Sequence, residues 1–283
     1  MSETFGRAAL PIAVLGAGNL GAAIARGIVR SGYRPAAEVL LTRRQPEQIA
    51  DLAAAGHPVG DDNASAVRRA GIIILAVQPK HVGPVLRDLA VVLDPSQHII
   101  VSTATGVSLE TLRREVGPEI PVVRAMPNLG IQTLNSMTCL VADRTSMGAL
   151  PEVEALFGHL GKTIRIEESK MAAATALCAS GIAFFLRAIR AAGQGGVEIG
   201  FHADEAMRMA AQTAKGAAEL LIQNETHPET EIDQVTTPNG CTIVGLNELE
   251  NRGFSSAIVR ALVVSTQRAA SLDPTSQGGS PRS

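Results

Sequence analysis

Five short runs in the first half of the chain are apolar at every position: Ile12-Ala13-Val14-Leu15, Val39-Leu40-Leu41, Ile72-Ile73-Ile74-Leu75, Ile99-Ile100-Val101 and Val122-Val123. A strand with one face in water alternates apolar and polar residues; a strand with none must be covered on both sides. Helical segments are expected between them, near 19–31, 46–55, 80–92 and 108–115, which makes repeated βαβ units the economical arrangement. Strands near 137–141 and 163–166, with a helix near 150–160, extend the same sheet. After about Glu167 the strand signals stop. Residues 169–192 read as a helix apolar on nearly every face, including Met171, Leu177, Ile182, Phe185, Leu186 and Ile189, so burial is needed all round. Further alanine-rich helices are expected over 203–223 and 255–270, with Gly200 and Gly253 marking breaks. A hundred residues of small-residue helix make a thin core, and a second subunit is expected to complete it.

The 283 residues favour two domains at roughly 150 residues each. A formal charge of −2 and no Lys/Arg run leave no footprint for nucleic acid. Tryptophan is absent and Tyr33 is alone, which removes stacking platforms for single strands. Cys139, Cys178 and Cys241 lack metal or CxxC spacing, so the chain reads as reduced and cytoplasmic. The six histidines show no ligand spacing and no Ser/His/Asp arrangement stands out, so neither a metal nor a covalent intermediate is expected. No signal-type block is visible, and no apolar run approaches ~20 residues, so nothing is expected to span a membrane.

GAGNLG, Gly16-Ala17-Gly18-Asn19-Leu20-Gly21, directly follows the first strand and opens a helix, the context a dinucleotide fingerprint requires. Gly16 permits the tight turn, Gly18 lets a pyrophosphate approach the backbone, and Gly21 lets helix and strand pack closely. The helix N-terminus supplies positive potential to the phosphates. An NAD-selective site carries an acid at the end of the second strand; here that end reads Thr42-Arg43-Arg44, and the only acid nearby, Glu38, lies at the strand's start. Arginines pair with a 2′-phosphate that a carboxylate would repel, so NADPH is expected and NADH is less preferred.

Residues 236–246, TTPNGCTIVGL, form a Pro-Asn-Gly turn opening a helix. Pro238 sets φ, Asn239 and Gly240 tolerate unusual backbone angles, and the helix N-terminus with the hydroxyls of Thr237 and Thr242 makes a small anion-binding cup. The segment resembles the substrate loop of pyrroline-5-carboxylate reductases, usually close to T-S-P-G-G-T-T-I-A-G-L. LAVQP (75–79) resembles that family's L-A-V-K-P, which places Ala76, Val77, Gln78 and Pro79 under the cofactor. RAMPN (124–128) resembles R-x-M-P-N near the nicotinamide, with Met126 and Asn128. Ser102 to Gly106 match the loop after the fifth strand, with Ala104 toward the cofactor, and Asn63 matches an asparagine associated with the adenosine ribose. CASGIAFF (178–185), GGVEIG (195–200) and QTAKGAAELL (212–221) match motifs of the helical half. The resemblance runs from about Leu10 to Ala270.

The fold class it implies is α/β: an N-terminal Rossmann-type, mostly parallel sheet over 1–167, then an all-α C-terminal dimerisation domain over 168–270. The tail, 271–283, is Ser/Pro/Gly-rich and expected to be disordered. The implied reaction is hydride transfer from NAD(P)H to a cyclic imine carboxylate, giving L-proline, in a homodimer often assembled further into rings. Thr242 is then the donor to the imine nitrogen. The N–H groups of Asn239, Gly240, Cys241 and Thr242 hold the carboxylate, Glu225 lies near the substrate and Gln234 near the cofactor. Ile182, Gln194, Asn239 and Cys241 depart from the family's usual Pro, Asp, Gly and Thr. They keep open a six-membered or substituted ring, and a non-catalytic NADPH-binding regulator remains a rival. A β-hydroxyacid dehydrogenase is disfavoured, because four residues after Lys170 stands Ala174 rather than asparagine.

Overall fold

The structure, a computed structural model, describes residues 10–272, so most of the expected disordered tail and the N-terminal residues lie outside it. In chain order the sheet unit comprises β1 (Ile12–Leu15), α1 (Asn19–Arg30), β2 (Val39–Thr42), α2 (Ala50–Ala54), β3 (Val59–Gly60), α3 (Asn63–Val67), β4 (Ile72–Leu75), α4 (Pro79–Leu89), β5 (Ile99–Ser102), α5 (Leu109–Val116), β6 (Val122–Met126), β7 (Ser136–Ala142), α6 (Leu150–Gly158) and β8 (Gly161–Arg165). The strands form one sheet in the order β3-β2-β1-β4-β5-β6-β7-β8. Among the described residues only the β6–β7 pair is antiparallel.

The all-apolar strands do what their composition requires. Ile12 and Val14 of β1 pack into a core layer with Ile24, Ile28 and Phe157. Ala13 and Leu15, pointing the other way, pack into a second layer with Val67, Leu86 and Leu112. Alternation of side chains across a strand turns one apolar run into two buried faces. Where the expected helix 46–55 lies, the chain makes a 3-10 turn over Pro46–Ile49 and then α2. Pro46 at the start and only Ile49 and Leu52 buried explain why the element stays short. β3 and α3, two and five residues long, carry too little periodicity to be read in advance.

A polar cluster fastens the turn after β7. The Arg113 guanidinium donates to both Asp143 oxygens (2.9 and 2.7 Å) and to the Ser146 hydroxyl at 2.8 Å. Ser146 Oγ in turn accepts from the Val122 N–H at the head of β6. Burial pushes the Asp143 carboxyl up, but hydrogen bonds from Thr145, Arg113 and Ser146 outweigh it and lower it to about 2. A depressed folded-state pKa stabilises the fold above the ordinary carboxylate value, ~3.9, and that stabilisation disappears as pH falls toward the folded value. Thermal unfolding followed between about pH 5 and pH 2 is therefore expected to lose Tm through that window in the wild type. Asp143→Asn is expected to start lower and to show a shallower loss there.

The chain divides into two compact units, one running to Ser180 and resuming at Ser265, the other Gly181–Val264. This division falls later than the 167/168 boundary read from the sequence. The reason is that α7 (Met171–Ala174) and the π-helical turn Thr175–Ser180 bury Met171, Ala174, Thr175 and Ala176 with the sheet unit.

The second unit holds α8 (Gly181–Glu198), α9 (Ala203–Asn224), α10 (Pro228–Val235) and α11 (Cys241–Asn251), and α12 (Phe254–Ala270) leads out of it. No strand follows Arg165 among the described residues. Glycines let α8 and α9 approach: a Cβ on Gly193 would meet Met207 Cε at 2.8 Å, and one on Gly196 would meet Ala206 Cβ at 2.8 Å. Otherwise little is covered. Only Gly181 and Gly193 of α8 are buried, only Ala206 of α9, and nothing of α10 or α11. Phe185 is 65% exposed and Leu186 60%. The expectation that no stretch reaches membrane-spanning length needs correcting: Glu168–Glu198 is one continuous helical stretch with mean hydropathy 1.7 over its most apolar window. Met171 to Leu186 carry no charged residue, and the backbone runs helically through Ser180-Gly181 instead of breaking there.

Candidate active site

In a parallel sheet, ligands bind beyond the carboxyl ends of the strands, where the order reverses. Here β1 is flanked by β2 and β4, and a cavity of about 730 Å³ opens beyond those strand ends. It is lined by Gly16 and Gly18, by Arg43 and Arg44, by Asn63, and by Ala76, Val77 and Gln78. Residues from four separate sequence motifs thus share one wall.

The glycine loop has the geometry its spacing implied. Gly16 sits at φ +90°, and a Cβ there would meet Val77 Cγ1 at 2.6 Å. Gly18 has open space where a Cβ would stand, so a ligand can reach the backbone. Gly21 packs on the loop itself, its missing Cβ falling 2.6 Å from the Gly16 carbonyl oxygen. Gly18 is the N-cap of α1 and offers no side chain to satisfy the helix N–H groups, and no acidic residue lies in the first turn. Ala17 is buried, and neither it nor Asn19, Leu20 and Gly21 contributes to the cavity wall.

The end of β2 is basic, as read. Arg43 donates to the Ala17 carbonyl at 2.9 Å and to Gln48, which ties it to the glycine loop. Arg44 is exposed on the cavity wall. The Thr42 hydroxyl donates to Asn63 Oδ1 at 2.6 Å, which holds that asparagine against β2. The structure adds wall residues that sequence reasoning missed, among them Gln48, Asp61, His81 and Asp88. Asp61 follows Gly60, whose carbonyl accepts from the Arg43 N–H at 3.0 Å. An acid therefore shares the cavity wall with the arginines, brought there by a two-residue strand that gives no sequence signal.

Other predicted cofactor residues do not line this cavity. Ala104 and Met126 are buried in the core. Asn128 caps the 3-10 turn Leu129–Thr133, accepting from the Gly130 N–H at 2.8 Å, and its Nδ2 donates to the Cys178 carbonyl at 3.0 Å. Pro79 opens α4, with Gln78 as N-cap. Gln234 belongs to the other unit, exposed on α10.

In that second unit the turn before α11 is built as its residues imply. Asn239 takes φ +56°, the left-handed region that asparagine tolerates best after glycine. Gly240 carries no Cβ because one would strike the Thr237 hydroxyl at 2.4 Å. One expectation is corrected: the Gly240 N–H donates to the Thr237 carbonyl at 2.9 Å, closing the turn, and so is not free for a carboxylate. Gly240 is the N-cap of α11 and no side chain caps it, so the N–H groups of Cys241 and Thr242 lead the helix unsatisfied. Thr242 is half-buried and, among the described residues, its hydroxyl has no hydrogen-bond partner. Glu225 ends α9 in the left-handed region, φ +52°. No group of three or more metal-ligating side chains occurs among the described residues.

Comparison with known proteins agrees with both units. Residues 168–272 match the family model for pyrroline-5-carboxylate reductase dimerisation, a segment that includes the exposed apolar helix. Residues 11–106 match the model for coenzyme F420-dependent NADP oxidoreductases. Pyrroline-5-carboxylate reductase 1 of Dictyostelium discoideum is 47% identical over 92% of this chain, which spans 49% of that protein. Pyrroline-5-carboxylate reductase 2 of the same organism is 43% identical, with 91% of each chain covered. Among solved structures, a Plasmodium falciparum pyrroline carboxylate reductase with NADP bound shares the fold, at TM-score 0.85, 23% identity, and coverage of 94% of this chain and 99% of that one. With its sheet, its glycine loop, its α11 turn and these relatives in agreement, the chain belongs to the pyrroline-5-carboxylate reductase family.

Proposed function

We propose that this protein reduces the C=N bond of 1-pyrroline-5-carboxylate to L-proline with NADPH, working as a homodimer. The observation that carries the reading is the start of α11: two leading N–H groups and a threonine hydroxyl, none of them satisfied within the described chain. The N–H groups of Cys241 and Thr242 hold the substrate carboxylate, and the Thr242 hydroxyl donates to the ring nitrogen. The cavity fits the cofactor. Open space at Gly18 admits the pyrophosphate, Arg44 and Arg43 face the 2′-phosphate, and Asn63 is held toward the ribose by Thr42. Bound there, NADPH supplies the hydride. A cyclic imine takes up a proton readily, so the protein needs orientation and one hydrogen bond rather than a dedicated acid–base pair.

Asn239 takes the left-handed conformation that glycine also allows, so this departure from the family's usual residue is compatible with the same turn. Two arginines within α8, Arg187 and Arg190, fit a helix buried against a second copy better than one in lipid. The cytoplasmic setting we propose rests on the sparse cysteines, three in 283 residues, which do not make a disulfide framework. NADPH oxidation with racemic pyrroline-5-carboxylate, followed by near-ultraviolet absorbance, tests the reading. Turnover is expected, and Thr242→Ala is expected to lower it by roughly 10- to 100-fold. NADPH binding without turnover on any cyclic imine would leave the regulator as the better account.

A further inference from the structure

Cys139 and Cys178 are far apart in sequence, yet their sulfurs lie 3.8 Å from each other. Cys139 is buried on β7, opposite Met126 of β6. Cys178 is half-buried in the π-helical turn Thr175–Ser180, a kind of helical irregularity that recurs at functional sites. The proposed reduction uses neither thiol. We infer that the two cysteines form an oxidisable dithiol, which hydrogen peroxide converts to a disulfide that ties the π turn to the sheet.

The environments assign the roles. Cys178 is half-buried where Cys139 is buried, so peroxide reaches Cys178 first; the hydrogen bond between the two lowers the Cys178 thiol, while that same bond and burial push Cys139 up. Cys178 is therefore the thiolate that attacks a peroxide oxygen. The O–O bond breaks, the sulfur becomes a sulfenic acid, and the departing hydroxide takes a proton to leave as water. Cys139 then attacks the sulfenic sulfur; the S–S bond forms, the S–O bond breaks, and the hydroxyl leaves as a second water with the Cys139 proton. One peroxide is reduced and two thiols are oxidised.

Closure from 3.8 Å to the ~2.05 Å of a disulfide requires the π turn to move toward β7. The Cys178 carbonyl accepts the Asn128 side chain, and Asn128 caps the turn after β6. Oxidation is thus coupled to a loop assigned to the nicotinamide side, a consequence that rests on the proposed function, whereas the cross-link itself does not.

The test treats the reduced full-length protein with hydrogen peroxide in slight molar excess, then maps peptides without reductant and titrates thiols. A Cys139–Cys178 linked peptide is expected, with free thiols falling from three to one and recovering with dithiothreitol. Cys139→Ser is expected to stop at a Cys178 sulfenic acid trapped by dimedone, and Cys178→Ser to yield neither product. NADPH-dependent turnover is expected to fall severalfold on oxidation of the wild type and not of Cys178→Ser. Oxidation at Cys241 alone, a cross-link between subunits, or a Cys178 sulfinic acid with no linked peptide would overturn the inference. A linked peptide with unchanged turnover would overturn the coupling to Asn128. A reduced enzyme with no turnover at all would count against the proposed reaction and not against the dithiol.

Discussion

Phe185→Glu is expected to convert the proposed dimer to monomer at any ordinary working concentration. Phe185 is 65% exposed within one chain, beside Leu186 at 60%, on a helix whose only buried residues are two glycines. Burying a phenylalanine side chain is worth about 1.5–3 kcal/mol, and an unpaired carboxylate in its place adds several more of penalty. A two-fold interface repeats each change, so the effect counts twice. At about 1.4 kcal/mol per factor of ten, the dissociation constant should rise by ~10⁴-fold or more. Sedimentation velocity reads this directly. A variant that keeps the dimer's mass would place the interface on another helix face.

The double variant Arg43→Ala, Arg44→Ala is expected to raise the KM for NADPH by ~100-fold or more while changing that for NADH by only a few-fold. Charge-assisted hydrogen bonds contribute roughly 1.5–3 kcal/mol each, and only NADPH carries the phosphate that receives them. The single variants should separate the two arginines. Arg44 is exposed on the wall, so Arg44→Ala should weaken NADPH selectively. Arg43 also braces the glycine loop through the Ala17 carbonyl, so Arg43→Ala should weaken both cofactors. Steady-state kinetics with each cofactor checks this. An equal loss for NADPH and NADH in the double variant would show that the pair supports the loop and does not read the phosphate.

The sheet and the glycine loop were legible because their causes are local. A strand apolar at consecutive positions has one stable environment, and a Gly-x-Gly turn between strand and helix has few other uses. The turn before α11 was legible for the same reason: asparagine at φ +56° follows from its own backbone preferences. What stayed hidden depends on neighbours distant in sequence. Asp61 reaches the cavity through a two-residue strand, and Asn128 bonds to a carbonyl fifty residues on. The Gly240 N–H was read as free because only the closed turn shows its partner.

By itself, then, the sequence determined the class of fold, the place of the dinucleotide loop, the basic end of β2 and the apolar character of the helix that opens the second half. Each of these follows from side-chain type and short-range spacing. Only the tertiary structure decided which motif residues share the cavity wall, which are absorbed into the core, and that Cys139 and Cys178 meet. Those outcomes depend on how strands from distant parts of the chain are ordered in the sheet, and hydrophobic burial, being non-directional, does not encode that order in any single segment.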